Sequence, residues 1–230
     1  MKLYNKATNE YGESCNEKLT KFVCKDCGST YFGYNNCLCT ECDSVQSGDI
    51  TDTLYIFADC FSHANGKAGM FAGYTTIVTN DRFDLEDKFN IEYINRAAFE
   101  GTTNNYGELM GVLDGLVYFV NEEVHSVYKK VVVVSDSEYV ILGARERMAK
   151  WRAKGWRNTS GDVKNKEIWI MMYQAVQEIS KMNVILEFKH QRGHIGSPTK
   201  DEDPMIYFQD KCDALSVGLK AQILNKRKED

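Results

Sequence analysis

Four consecutive valines, Val131, Val132, Val133 and Val134, constrain the fold of this chain more than any other stretch. Strand side chains alternate between faces, so an uninterrupted apolar run needs cover on both sides and suits the middle of a sheet. The run stops at Ser135, Asp136 and Ser137. A second apolar run, Leu54, Tyr55, Ile56, Phe57 and Ala58, ends at Asp59. Gly66, Gly69 and Gly73 then accompany an aromatic and β-branched stretch over residues 71–78, and residues 89–99 supply a third extended candidate. Three sequential strands predict an antiparallel start. The period changes next: Leu109, Val112, Leu113, Leu116, Val117 and Val120 recur every three or four residues, which predicts a helix with one buried face. Thr103, Asn104 and Asn105 are its candidate caps. After the valine strand come helical segments from Ser137 and over residues 165–181, a last strand over 184–188, a polar loop and a C-terminal helix. The expected class is α/β, a mixed five-stranded sheet flanked by helices.

A chain of 230 residues holds one full core and a small appendage rather than two large domains. Apolar residues at 43%, charged residues at 27% and only two prolines fit a folded chain and exclude a disordered or collagenous one. No apolar run approaches the roughly 18 to 20 residues of a membrane helix, and the polar N-terminus lacks the apolar segment of a secretory signal. The expectation is a cytoplasmic, intracellular monomer without a membrane partner. A net charge of -5 excludes a globally basic coat protein and leaves room for a local positive patch.

Six of the eight cysteines fall within the first 42 residues. Cys24 and Cys27 form one C-x-x-C turn, and Cys39 and Cys42 form another after an eleven-residue interval. Two such turns offer four soft thiolates in tetrahedral order, the ligand set of one structural Zn²⁺. A segment of about 45 residues buries little core, so the metal would supply folding free energy directly. A redox dithiol pair, or free or disulfide-bonded cysteines, are the other readings; Cys15 and Cys37 are extra. The polar stretch 43–49 reads as a linker, dividing the chain into a zinc-ribbon-like module over residues 1–48 and a larger domain over 49–230. Ribbons of this kind dock nucleic acid or protein, so a partner of either type is expected for it.

Asp59 and Asp136 each sit where an apolar strand gives out, and Glu108 lies in the first turns of the helix between them. Adjacent central strands would bring the two aspartates together. Converging carboxylates repel one another unless cations are present, and their oxygens are hard ligands suited to Mg²⁺. A two-metal centre of this type supports in-line hydrolysis of a phosphodiester. Taken singly, each acid is also an ordinary turn or helix-start residue.

The order of these acids, with Ser62, with the run Thr102, Thr103, Asn104, Asn105, Tyr106, Gly107, Glu108, and with Ser135, Asp136, Ser137, Glu138, Tyr139, resembles the ribonuclease HI family. Lys189, His190, Gln191, Arg192, Gly193, His194 resemble that family's loop before the last helix, and Asp210, Lys211, Cys212, Asp213 resemble the helix start. The resemblance covers residues 51 to about 222. It implies metal-binding acids at Asp59, Glu108, Asp136 and Asp213, two Mg²⁺ or Mn²⁺ ions per site, and a role for His194 in proton movement or product release. It implies contacts from Asn104 and Asn105 to the minor groove of an RNA-DNA hybrid, where the 2'-OH marks the RNA strand, and a further substrate contact from Ser62. The implied activity is endonucleolytic hydrolysis of the RNA strand, leaving 5'-phosphate and 3'-hydroxyl ends. A nuclease of broader duplex specificity and a noncatalytic hybrid-binding protein are the alternatives. Cys60 stands where the family usually has glycine, and the loop over 198–203 adds Asp201, Glu202 and Asp203 near the expected centre.

Residues 145–166 carry eight basic against two acidic side chains, with Trp151 and Trp156 among them. This segment resembles the basic handle of the same family. Trp151, Lys154, Trp156 and Arg157 are its candidate substrate contacts, by charge to phosphates and by rings against sugars. The other reading is a solvated helix whose tryptophans enter the core.

Overall fold

The computed structural model describes residues 20–23, 30–33, 53–80, 91–122, 128–191 and 203–229. Strands β1 (Thr20–Val23) and β2 (Thr30–Gly33) pair antiparallel as a separate two-stranded sheet. The main sheet begins with β3 (Thr53–His63), β4 (Phe71–Asn80) and β5 (Ile91–Glu100), an antiparallel meander as expected from the three extended runs. Helix α1 (Asn104–Asn121) crosses over to β6 (Lys130–Ser135), the valine strand, which pairs parallel with β3. The chain then runs through α2 (Glu138–Leu142), a π-helical turn (Gly143–Arg147) and α3 (Met148–Ala153). A small hairpin of β7 (Arg157–Asn158) and β8 (Gly161–Asp162) follows, then α4 (Lys166–Lys181), β9 (Ile185–His190) and α5 (Pro204–Glu229). The five-stranded order is β5-β4-β3-β6-β9, so β3, which carries Asp59 and continues past it to His63, and β6, which ends just before Asp136, are neighbours at the centre.

Both faces of that centre are covered. Val131 and Val133 join α1 and α4 in the larger core cluster, while Val132 and Val134 pack with Phe57, Ile77, Phe208 and Cys212 under α5. This two-sided burial is the physical reason for four valines in a row. Helix α1 lies unusually close to β3 and β4 because Gly107, Gly111 and Gly115 recur every fourth residue on its sheet-facing side. A Cβ at Gly107 would stand 3.1 Å from the carbonyl oxygen of Gly73, and one at Gly115 would overlap the Cγ2 methyl of Ile56. Buried Asp114, one residue before Gly115, accepts hydrogen bonds from Tyr93 Oη (3.1 Å) and Asn95 Nδ2 (3.0 Å) and so ties the helix to β5. No helix among the described residues is long and apolar enough to cross a membrane.

Glu92 on β5 is 1% exposed. Tyr128 Oη donates to its Oε1. Burial raises its pKa to about 7, and the hydrogen bonds from Tyr128 and Asn80 only partly oppose this. An acid whose folded pKa exceeds its unfolded value stabilises the fold fully below the unfolded pKa and loses that contribution as pH rises through the folded one. Stability is therefore expected to fall between pH of about 4.5 and 7. Glu92→Gln should flatten that part of the curve of unfolding free energy against pH in urea titrations; an unchanged curve would sink this assignment.

Candidate active site

Asp59 lies on β3 at 8% exposure, two residues past Phe57, which pairs with Val134 of β6. Asp136 leaves β6 immediately after Ser135, at the carboxyl end of the same parallel pair. Glu108 stands in the second turn of α1, whose glycine face holds it near β3, and Asp213 stands on α5. Helix α5 is fastened along β3 by a row of side chains. Gln209 Nε2 donates to Ala58 O (3.4 Å), Cys212 Sγ to Phe57 O (3.5 Å) and Ser216 Oγ to Asp59 O (3.4 Å). That row at i, i+3 and i+7 turns Asp213 toward Asp59.

The electrostatics record the convergence. Burial first, and then the charges of Asp136, Asp213 and Glu108, push the Asp59 carboxyl up to about 8. Its Oδ2 is buried and has no hydrogen-bond partner among the described residues. Glu108 is likewise raised by burial and by Asp136, and lowered by hydrogen bonds from Ser137 and Asn104. Among the described residues, no three His, Cys, Asp or Glu side chains stand as a finished ligand set for a metal ion. The donor chemistry fits a divalent cation nonetheless: four carboxylates share one field, and one buried carboxylate oxygen finds no hydrogen-bond donor among the described residues.

Glu108 is held at both oxygens. Asn104 Nδ2 donates to Oε1 at 2.7 Å and Ser137 Oγ donates to Oε2. Ser137 Oγ also accepts from Val140 N at 3.3 Å, so one hydroxyl caps α2 and orients a site carboxylate. Cys60 Sγ donates to Asn104 Oδ1 at 3.2 Å, which occupies the amide oxygen. Burial and then the Glu108 charge raise the Cys60 pKa, so the thiol stays protonated and acts as a donor. Thr103 is the N-cap position, without a side-chain capping bond, and Asn104 and Asn105 begin the helix itself. Asn105 is exposed. Ser62 is half-buried, and its carbonyl accepts from Lys220 Nζ at 2.7 Å.

Asp203 caps α5: its Oδ1 accepts from Met205 N (2.9 Å) and Ile206 N (3.2 Å). Asp201, Glu202 and His194 lie outside the described residues, as do Cys24, Cys27, Cys39 and Cys42. His190, which the sequence gives no site role, places Nε2 2.9 Å from the carbonyl oxygen of Asp136. In the basic segment, Lys154 and Arg157 are exposed, and Asp162 pairs with Lys166 at 3.2 Å and Arg157 at 3.8 Å. The rings of Trp151 and Trp156 meet Trp169 (5.2 Å) and Tyr173 (6.0 Å) of α4 edge-on, contacts that anchor the protrusion to the core.

Asp59 and Asp136, just past the end of the parallel β3–β6 pairing, put the candidate site of this α/β protein at the carboxyl edge of that pair. A family model described as RNase H matches residues 51–204, and the chain belongs to that family. It is 36% identical over 98 residues to a ribonuclease H of Pseudomonas putida, covering 42% of this chain and 59% of that protein. It is 37% identical over 98 residues to one of Pseudomonas savastanoi pv. phaseolicola, covering 42% and 58%. The matched part thus spans under two thirds of these curated relatives. Among solved structures, LC9-RNase H1, described as a type 1 RNase H with the type 2 active-site motif, shares the fold at a TM-score of 0.53 and 23% identity, over 73% of this chain and 72% of that one.

Proposed function

We propose that the chain is an endoribonuclease that hydrolyses the RNA strand of RNA-DNA hybrids. The observation that carries this reading is the buried Oδ2 of Asp59, unpartnered among the described residues, in the joint field of Asp136, Asp213 and Glu108. Asp59, Glu108, Asp136 and Asp213 would hold two divalent ions. The chemistry that Mg²⁺ or Mn²⁺ supplies when bound there is activation of water and stabilisation of the leaving oxygen. Water adds to phosphorus, the bond to O3' breaks, and 5'-phosphate and 3'-hydroxyl ends result. Asn104 and Ser137 keep Glu108 from rotating away from its partners. His194 assists proton movement or product release. With its oxygen taken by Cys60 and one N–H by Glu108, Asn104 retains a second N–H for the minor groove, beside Asn105 and Ser62. Lys154 and Arg157, with the edges of Trp151 and Trp156, would hold the backbone of the duplex.

We assign residues 1–48 to a zinc-ribbon-like module with one Zn²⁺ on Cys24, Cys27, Cys39 and Cys42, joined to a catalytic domain over 49–230. What supports it is spacing, together with the place of Cys24 and Cys27 in the sequence between β1 and β2. The decisive experiment presents matched RNA-DNA, RNA-RNA and DNA-DNA duplexes with Mg²⁺ to the full chain, beside Asp136→Asn, and measures zinc in the same preparation. Metal-dependent cutting of the RNA strand in the hybrid alone, lost in Asp136→Asn, with one zinc per chain, is the expected result. Equal cutting of all three duplexes would replace the hybrid assignment with a broader nuclease. Binding without cutting would leave a noncatalytic hybrid-binding protein, and absence of zinc would reject the ribbon.

A further inference from the structure

The edge strand β9 borders a cleft separate from the carboxylates. It encloses about 570 Å³ and is lined by Arg145, Leu186, Glu187, Phe188, Lys189 and His190. Its charge is unbalanced. Lys130 Nζ pairs with Glu187 at 2.8 Å. That hydrogen bond does most to hold the Glu187 carboxyl below its ordinary range, and Lys189 and Arg145 add to it. Three cations, one each from β6, the π-helical turn and β9, therefore act on one carboxylate. The surplus falls on Arg145 and Lys189, both exposed. Leu186 and Phe188 pack against the larger core cluster, so part of the wall is of low dielectric and focuses the field of the two cations.

The position of the cleft ties it to the site. Lys189 pairs with Val134 and His190 with Ser135, the last two residues before Asp136. His190 Nε2 is 2.9 Å from the carbonyl oxygen of Asp136. With strands about 4.8 Å apart and a rise of about 3.3 Å per residue, the cleft opens about 10 Å or less from the Asp136 backbone.

We propose that this cleft is a subsite for one backbone phosphate of the nucleic-acid strand next to the cut, bound by Arg145 and Lys189. The proposal rests on the nuclease reading above for the identity of its ligand. A guanidinium offers a two-pronged donor to phosphate oxygens and an ammonium adds a point charge. Attachment of that phosphate to a duplex already seated on the site gives it a high effective concentration, which free phosphate lacks.

The test is Arg145→Ala/Lys189→Ala, beside Lys129→Ala/Lys181→Ala, which removes the same charge at the opposite end of β9. A fluorescent RNA-DNA hybrid is titrated in EDTA across a salt series, and single-turnover cleavage is then measured with Mg²⁺. For Arg145→Ala/Lys189→Ala, affinity at low salt should fall about tenfold and the slope of log K against log salt should become shallower by about one. The rate from the saturated complex should stay within about twofold, as expected for lost uniform binding. Unchanged affinity and slope, or an equal loss in Lys129→Ala/Lys181→Ala, would overturn the subsite. Inorganic phosphate at matched ionic strength should displace hybrid no better than chloride; selective displacement that requires Arg145 and Lys189 would make this a free-phosphate site and overturn its assignment to a strand. If the wild type shows the Arg145- and Lys189-dependent slope but cuts nothing, the subsite stands and the nuclease reading alone falls.

Discussion

Asp59→Asn should abolish hydrolysis while making the metal-free protein more stable. The two effects share one cause. Burial and three neighbouring carboxylates raise the Asp59 pKa from 3.8 to about 8, and its Oδ2 has no donor among the described residues. The sign follows from the raised pKa: the stabilising contribution is complete below the unfolded value of 3.8 and is lost as pH rises through about 8. At neutral pH the folded chain therefore carries either a proton on Asp59 or the cost of a buried, repelled charge. Asparagine keeps the shape and removes both, a gain of about 2 kcal/mol in urea unfolding with EDTA. Mg²⁺ should reverse the order, raising the Tm of the wild type and leaving Asp59→Asn nearly unmoved. Cleavage should drop about 10³-fold or more, since a group needed to stabilise charge in the transition state has been removed. A variant that keeps near-native turnover, or a wild type whose Tm ignores Mg²⁺, would remove Asp59 from the metal site.

The sequence revealed the centre of this site more clearly than its rim, for physical reasons. Asp59 and Asp136 each terminate an apolar run; β6 does end beside Asp136, whereas β3 continues past Asp59 to His63, because its antiparallel partner β4 still pairs with it there. Glu108 was similarly exposed by the change to a helical period. Asp213 carried no such signal, because α5 segregates its apolar residues weakly, and only the family resemblance pointed to it. The supporting contacts join residues far apart in the chain and leave no periodic trace: Cys60 to Asn104, Ser137 to Glu108, His190 to the Asp136 carbonyl. The sequence predicts a helical segment from Ser137, and Ser137 caps α2 there; its second bond, to a residue 29 positions earlier, leaves no sequence signal. The β7–β8 hairpin was missed because two-residue strands are too short to alternate visibly. Asp203 reads from sequence as one of the loop acids near the centre, and its position just before Pro204 also makes it the cap of α5, a role the charge pattern does not show.

Gly115→Val should destabilise the fold by about 3 kcal/mol, because overpacking against a sheet displaces backbone as well as side chains. The added Cβ would overlap Ile56 Cγ2 and stand 3.2 Å from Thr76 Cγ2, and both neighbours are fully buried. Helix propensity favours valine over glycine by a few tenths of a kcal/mol, too little to offset the overlap. Gly218→Ala on α5 is the opposite case: a Cβ there meets nothing within 4 Å among the described residues, so stability should rise by about 0.5 to 1 kcal/mol. The Gly115 change should also reach the chemistry, since Glu108 lies two turns away on the same helix and its distance from β3 is set by the glycine face. Cleavage at saturating hybrid and Mg²⁺ should therefore fall even at a temperature where the variant is fully folded. Ile56→Ala, which removes the overlapped methyl, should restore part of both losses when combined with Gly115→Val, giving a non-additive cycle. Strict additivity, or full turnover in folded Gly115→Val, would mean that Glu108 is positioned by its hydrogen bonds to Asn104 and Ser137 alone and not by the closeness of α1 to the sheet.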